Sequence, residues 1–278
     1  MAVKLLVTGA NGRLGRALTA ARPEAVALTR RDLDITDASA VRAALRTHRP
    51  DVVVNAAAWT AVDDAELDEP AAHAVNAVGA GHLAREAADV GAAIVHVSTD
   101  YVFSGAGPHL PDAACAPCNA YGRTKLAGEV AVRAHPRHVI LRTSWLFCEH
   151  GPSFPRAIVR RAVRSAPLRV VDDQQGGPTP TSGLARGVLA VVDQLDDDPW
   201  GTWHCAGRPH TTWHGFAVAL VEALGMPADA VERVSSTRFP RAATRPADSR
   251  LDVSAFEARF GMCVDWREGL GALVERLR

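Results

Sequence analysis

The chain has 278 residues, enough for a substantial core in one large domain or two small ones. Its 31 basic and 31 acidic side chains give a formal net charge of +0, which removes any broad electrostatic case for nucleic acid or an anionic membrane as a partner. Hydrophobic content of 47% with no apolar run long enough to span a bilayer fits an ordinary globular enzyme of the cytoplasm.

In chain order, an apolar run over 5–8 predicts a buried strand opening onto Gly9, Gly12 and Gly15 at three-residue spacing, then a helix over 12–21. Gly9 allows the sharp turn, and Gly12 lets the backbone approach a pyrophosphate. Gly15 lets helix and strand pack closely, and the helix N-terminus faces the phosphate charge. Strands follow at 25–28, 52–55, 94–98 and 139–142, separated by helices over 39–47, 71–90 and 121–134. This alternation predicts an α/β fold of Rossmann type, a doubly wound parallel sheet with right-handed crossovers. Past Thr143 the pattern loosens and Pro, Gly and Trp increase. Residues 1–150 are therefore expected to form the dinucleotide-binding domain. A smaller substrate lobe is expected over 151–278, with about 176–202 returning to the first domain.

The second strand ends in Arg30 and Arg31, with no carboxylate before Asp32. A ribose 2′-hydroxyl is read by an acid and a 2′-phosphate by a cation, so NADPH is expected, with NADH possible. Arg13 in the glycine turn could add a further charge. The fourth strand ends in Ser98, Thr99 and Asp100, which places Thr99 at the carboxyl edge of the sheet, where ligands bind. Tyr121 and Lys125, four apart on a helix, share one face, and an ammonium beside a phenol lowers its pKa.

Five cysteines cannot all pair within one chain. Cys115 and Cys118 have redox-type spacing without a thioredoxin setting or a second pair for zinc, so reduced structural thiols are expected. His204, His210 and His214 lack an acidic or thiol ligand at metal spacing, and no metal site is expected. Arg160, Arg161 and Arg164 read as one exposed helix face.

Together, the glycine triplet, the Ser98-Thr99-Asp100 strand end and the Tyr121-x-x-x-Lys125 helix resemble the extended short-chain dehydrogenase/reductases. More narrowly, Asn55 to Asp63, Ser98 to Phe103, Tyr121 to Glu129, Arg142 to Trp145, Asp173 to Thr179, Thr211 to His214 and Arg245 to Leu251 resemble the dTDP-4-dehydrorhamnose reductase family. The resemblance runs from Lys4 nearly to the C-terminus. It implies reduction of a nucleotide-linked 4-keto-6-deoxy sugar, with Thr99, Tyr121 and Lys125 catalytic and Lys125 holding the nicotinamide ribose. It implies cofactor contacts at Gly9, Asn11, Gly12, Arg13, Leu14, Gly15, Arg30, Asp34, Ile35, Ala57, Ala58, Trp59 and Thr60. Asp100 and Trp145 become sugar contacts. Arg245 and Arg250 become candidates for the diphosphate, although each also fits a structural ion pair.

Sugar-nucleotide dehydratases resemble this chain but carry a Glu where Tyr101 stands, and epimerases an acidic second-strand end. The rival from another class is a non-catalytic NADP-binding subunit similar to the regulatory subunit of methionine adenosyltransferase. Some rhamnose-type reductases dimerise through a metal held by a Glu at the position of Ala17. Alanine offers no oxygen ligand, so a monomer or a metal-independent homodimer is expected.

Overall fold

The computed structural model describes residues 3–148, 153–163 and 167–277. The first half runs β1 (Leu5–Thr8), α1 (Arg13–Ala21), β2 (Val26–Leu28), α2 (Ala38–His48), β3 (Val52–Asn55), α3 (Val62–Leu67), α4 (Glu69–His73), α5 (Ala80–Asp89), β4 (Ala93–Thr99), α6 (Ala120–Val132) and β5 (His138–Thr143). Period-two alternation sends Leu5, Val7, Val52, Val54, Ala93 and Val95 to one face of the sheet. Leu6, Val53, Ile94 and Ile140 go to the other. Both faces are buried, which is why these strands read as unbroken apolar runs rather than alternating ones.

The second half runs β6 (Leu146–Phe147), α7 (Phe154–Val163), β7 (Leu168–Val171), β8 (Gln175–Gly176), β9 (Thr179–Pro180), α8 (Thr181–Val192), β10 (Gly201–His204), β11 (Thr211–Thr212), α9 (Trp213–Ala223), β12 (Val231–Val234), α10 (Ser254–Phe260) and α11 (Trp266–Leu277). The main sheet has six strands in the order β10-β5-β4-β3-β1-β2, and every pairing is parallel. From β1 the chain steps outward to β2, then crosses back to β3 on the other side. That reversal opens a crevice at the carboxyl ends of β1 and β3.

Leu14 and Leu18 of α1, Leu184 and Val188 of α8, and Phe256 of α10 cover one face. Val41 and Leu45 of α2, Leu83 and Ala87 of α5, and Val132 of α6 cover the other. A separate core gathers α7, α9, α11 and the parallel pair β7–β12 around Phe147, Ile158, Leu168, Phe216, Leu220 and Leu273. Residues 150 and 151, where the sequence places the domain boundary, lie outside the described residues, as does Arg164. Among the described residues no helix is long and apolar enough to cross a membrane.

The helix expected over 71–90 departs from regular geometry. Its middle, Ala74–Gly79, winds as a π-helix between α4 and α5. Asn76 in this wider turn is buried; its side chain accepts from Trp59 N (2.8 Å) and donates to Trp59 O (3.1 Å) and Thr124 Oγ1 (3.0 Å). One residue of a π turn thus ties the loop after β3 to α6.

Candidate active site

The crevice begins at the glycine turn. Gly9 has φ +67°, and a Cβ there would meet Ala57 N at 2.7 Å; one on Gly15 would meet Gly9 O at 2.3 Å. Only glycine satisfies both the left-handed backbone and the close approach. Gly12 caps α1 without a side-chain hydrogen bond, so the first amides of the helix face the crevice. Two adjoining cavities follow. One of about 310 Å³ is bounded by Gly9, Asn11, Gly12, Arg30, Asp34, Ile35, Ala57, Ala58 and Trp59. The other, of about 450 Å³, is bounded by Gly12, Arg13, Leu14, Ala58, Thr60, Thr99, Asp100, Tyr121, Lys125 and Trp145. Gly12, Ala56 and Ala58 border both, so the two form one elongated slot across the switch point.

This slot fits a dinucleotide on the chain's own evidence. A side chain on Gly9 or Gly15 could not be accommodated, helix amides line the middle, and a cation stands at one end. Arg30 is four-fifths exposed and makes only a long contact to Asp34, 3.8 Å. Asp34 is committed to Thr36 N (3.0 Å) and Oγ1 (2.8 Å), and Asp32 to Thr29 N (2.9 Å) and Oγ1 (2.6 Å). One oxygen of each carboxylate is thus taken up within the loop, and Asp34 remains beside Arg30 in the cavity lining. Arg13 differs from expectation: it borders the second cavity, with NH1 3.4 Å from Leu146 O, away from the Arg30 end.

At the other end, β4 delivers Thr99 and α6 delivers Tyr121 and Lys125. Asn119 caps α6 by accepting from Gly122 N (2.7 Å), and Glu66 accepts from Ala120 N (2.6 Å). The helix sits unusually close to its neighbours, because a Cβ on Gly122 would lie 2.2 Å from Tyr101 O and one on Gly128 2.1 Å from Asn76 O. The Thr99 hydroxyl, one of the groups acting on the Tyr121 phenol, donates to Asp100 Oδ1 (3.0 Å) and accepts from Tyr101 N (3.1 Å).

Electrostatically the floor of the slot is dry. Burial pushes the Tyr121 phenol up to about 12, opposed by the Thr99 bond and reinforced by the Asp100 charge. Burial also raises the Asp100 carboxyl to about 7, offset only in part by Ser249 and Thr99, and its Oδ2 is buried with no hydrogen-bond partner. Lys125 is pushed down to about 8 by burial, against the pull of Glu129. Its amine position differs from the one expected. Lys125 Nζ bonds Val97 O (2.7 Å) and lies 3.3 Å from His96 Nε2, so burial, Thr99 and Asp100 set the state of Tyr121 and Lys125 does not.

Trp145 holds φ +44° and stacks on Trp213 with ring centroids 3.7 Å apart. Gly176 makes room, since a Cβ there would be 2.3 Å from the Trp145 ring. Tyr101 meets Tyr121 edge-on at 5.8 Å. Beyond these two aromatic pairs lies a third cavity of about 470 Å³, bordered by Tyr101, Phe154, Arg161, Trp213, Arg241 and Arg245. Arg245 borders it while chelating Asp63 (2.5 and 2.8 Å), an ion pair linking the C-terminal half to α3. Arg250 is not brought to any of these cavities. It is spent on Asp248 (2.6 and 2.9 Å) and Gly107 O (2.8 Å), a local structural pair.

Sequence reasoning missed Arg161, Trp213 and Arg241 as cavity residues; only the family-like stretch Thr211 to His214 could have singled out Trp213. His204, His210 and His214 each bond a backbone carbonyl, of Asp252, Leu251 and Val231. Cys115, Cys118, Cys205 and Cys263 are thiols outside any disulfide.

A parallel sheet reversing at this crevice, a glycine turn at its mouth and a Thr–Tyr–Lys set on its floor define a dinucleotide-binding protein of the short-chain dehydrogenase/reductase type. Within that class, the chain belongs to the family described as RmlD substrate binding domain, which it matches over residues 3–278. It is 43% identical to a dTDP-4-dehydrorhamnose reductase of Streptomyces griseus, across 91% of this chain and 86% of that one. It is 42% identical to a dTDP-4-keto-6-deoxy-D-glucose reductase of Streptomyces niveus, across 88% and 87%. The crystal structure of dTDP-4-dehydrorhamnose reductase from Bacillus anthracis in complex with NADP superposes with a TM-score of 0.90, at 33% identity and covering 98% and 99% of the two chains.

Proposed function

We propose that this protein is an NADPH-dependent reductase of the 4-keto group of a nucleotide-diphospho-4-keto-6-deoxyhexose, dTDP-4-dehydrorhamnose or a related antibiotic deoxysugar. The observation that carries the reading is that Thr99, Tyr121 and Lys125 line the floor of a slot shaped for a dinucleotide, with burial holding the Tyr121 phenol neutral. The names of the relatives supply the substrate class.

When bound, the reduced nicotinamide supplies hydride to the sugar C4. The chain's residues do the rest. The amides around Gly12 hold the pyrophosphate and Arg30 the 2′-phosphate, with Asn11, Ile35, Ala57, Trp59 and Thr60 lining the slot. As hydride adds, negative charge develops on the ketone oxygen. Tyr121 donates its proton to that oxygen and Thr99 hydrogen-bonds the same atom, which fixes the carbonyl against the cofactor face. A phenol kept neutral by burial is suited to this acid role. Lys125, on the same helical face, takes the nicotinamide ribose. Asp100 accepts from a sugar hydroxyl through its unpartnered Oδ2. Trp145, backed by Trp213, gives the hexose a flat wall, and the cavity of Arg161, Arg241 and Arg245 takes the nucleotide diphosphate.

In this reading residues 1–150 form the cofactor domain and 151–278 mainly the substrate lobe. Support for a return over about 176–202 comes from α8 on the α1 face and β10 beside β5. The protein would work in the cytoplasm as a monomer or a homodimer built without metal. Loss of NADPH absorbance on adding a 4-keto-6-deoxy sugar nucleotide tests the reading. Cofactor binding without turnover of any such substrate would instead favour a binding-only subunit.

A further inference from the structure

Behind Lys125 lies a row of buried polar side chains that catalysis as described leaves unused. Thr8, Asn55 and His96 are register partners across β1, β3 and β4, all on the α6 side of an otherwise apolar sheet face. Thr8 Oγ1 donates to Asn55 Oδ1 (2.8 Å), Asn55 Nδ2 faces His96 Nδ1 (3.0 Å), and His96 Nε2 faces Lys125 Nζ (3.3 Å). Polar groups in such a place are costly unless every bond is made, so the direction of each bond is determined.

The direction starts from the backbone. Ala57 N–H donates to Asn55 Oδ1 (3.1 Å), which fixes that atom as the acceptor and leaves the amide NH₂ toward His96. His96 Nδ1 must therefore accept, and the single proton of a neutral imidazole must sit on Nε2, pointing at Lys125. An ammonium there would set donor against donor. A neutral amine accepts from Nε2–H while still donating to Val97 O. The surroundings agree: burial holds His96 well below the ordinary histidine range, so the ring is not a cation. Glu129, one turn along α6, is taken up by Arg142 (2.7 and 2.9 Å), Arg133 (2.8 Å) and Ser98 (2.6 Å). Tyr121, on the other side, is an un-ionised phenol.

We propose that His96 is a positioning residue that parks Lys125 as its neutral amine in the free protein, so that dinucleotide binding, by drawing Lys125 toward the ribose, takes up a proton. The binding half of this rests on the cofactor reading above; the parked state does not. A proton-coupled lysine would make cofactor affinity fall as pH rises above about 8, where the free protein holds Lys125 as its amine.

Lys4 and Lys125 are the chain's two lysines, so side-chain NMR of lysine-labelled protein resolves each. In the free protein Lys125 should titrate at about 8, against the ordinary value of 10.5. Two variants move it upward by different means. His96→Phe removes the Nε2–H. Asn55→Asp accepts from Nδ1–H, reverses the tautomer and offers Lys125 a lone pair without emptying the site. At least one unit of rise is expected in whichever variant folds. An ordinary Lys125 midpoint in the wild type, or no movement in either folded variant, overturns the proposal. Calorimetry with NADP⁺ at pH 9, in buffers of low and high ionisation enthalpy, should show uptake approaching one proton in the wild type and less in Asn55→Asp. Binding without uptake also overturns it. Absence of NADP⁺ binding would sink the cofactor reading and leave the free-protein titration to decide the parked state.

Discussion

Tyr121 and Tyr101 are the chain's two tyrosines, and both stand at the junction of the slot and the arginine-lined cavity. Tyr121→Phe removes one oxygen from a packed ring, so NADPH affinity should change little. Turnover should fall roughly 10²–10⁴-fold, the usual worth of a positioned acid. A Phe variant that keeps most of the wild-type rate would assign the proton to another donor. Asp100 presents a trade-off. Its folded pKa is raised from 3.8 to about 7, so the folded state binds a proton that the unfolded chain has released. That contribution to stability is full below pH ~4 and is lost as pH rises through about 7. Asp100→Asn should therefore raise the melting temperature more at pH 8 than at pH 5, while weakening sugar-nucleotide binding. A stabilisation independent of pH would mean that the carboxyl is not held neutral by the fold. The residue types of this site were legible in the sequence. Their protonation states were not, because burial depth belongs to the folded chain.

In the proposed function the loop closing β2 would select the cofactor. Asp32 and Asp34 each give one oxygen to a threonine of their own loop, Thr29 and Thr36, and Arg30 is the cation of this loop that borders the cavity. Arg30→Asp should lower kcat/KM for NADPH about 10-fold or more and improve the NADH ratio, since a carboxylate repels the 2′-phosphate and accepts from a hydroxyl. An unchanged ratio would hand the preference to Arg31, because Arg13 borders the opposite part of the slot. At α6 the deciding features are spaces rather than groups. Gly122 and Gly128 let the helix approach Tyr101 O and Asn76 O, and that approach carries Tyr121 and Lys125 to the floor. The helix over 121–134 could be read from periodicity. The π turn at Ala74–Gly79 could not, since nothing in the spacing of 71–90 distinguishes it from an ordinary helix.

Across the whole molecule, Asp63 and Arg245, 182 positions apart, fasten the C-terminal half to α3. The Arg245 guanidinium holds Asp63 down to about 2 from 3.8, so the pair stabilises the fold above pH ~4 and that stability is lost as pH falls through about 2. Asp63→Asn should cost about 1–2 kcal/mol at pH 7, little for an ion pair because both partners keep contact with water. Urea unfolding at pH 7 and pH 3 checks this; a cost that does not shrink toward pH 3 would point to packing instead. Assembly is the other whole-molecule property. With Ala17 offering no oxygen ligand, the mass in solution measured by light scattering should not respond to EDTA. A dimer that falls apart on chelation would show that other carboxylates hold a metal.

The sequence by itself determined the doubly wound sheet, because period-two and helical patterns depend only on which side chains must leave water. It also determined the glycine turn and the Thr99, Tyr121 and Lys125 types, because their spacing is local. Tertiary structure decided everything that depends on distant partners. It gave Arg250 to Asp248 and made Arg245 answer to Asp63. It stacked Trp213 behind Trp145, and it set the Lys125 amine against His96 and Val97 O. A charge or a ring carries no record in the chain of which neighbour folding will bring within 3 Å, and at that distance the neighbour sets its chemistry.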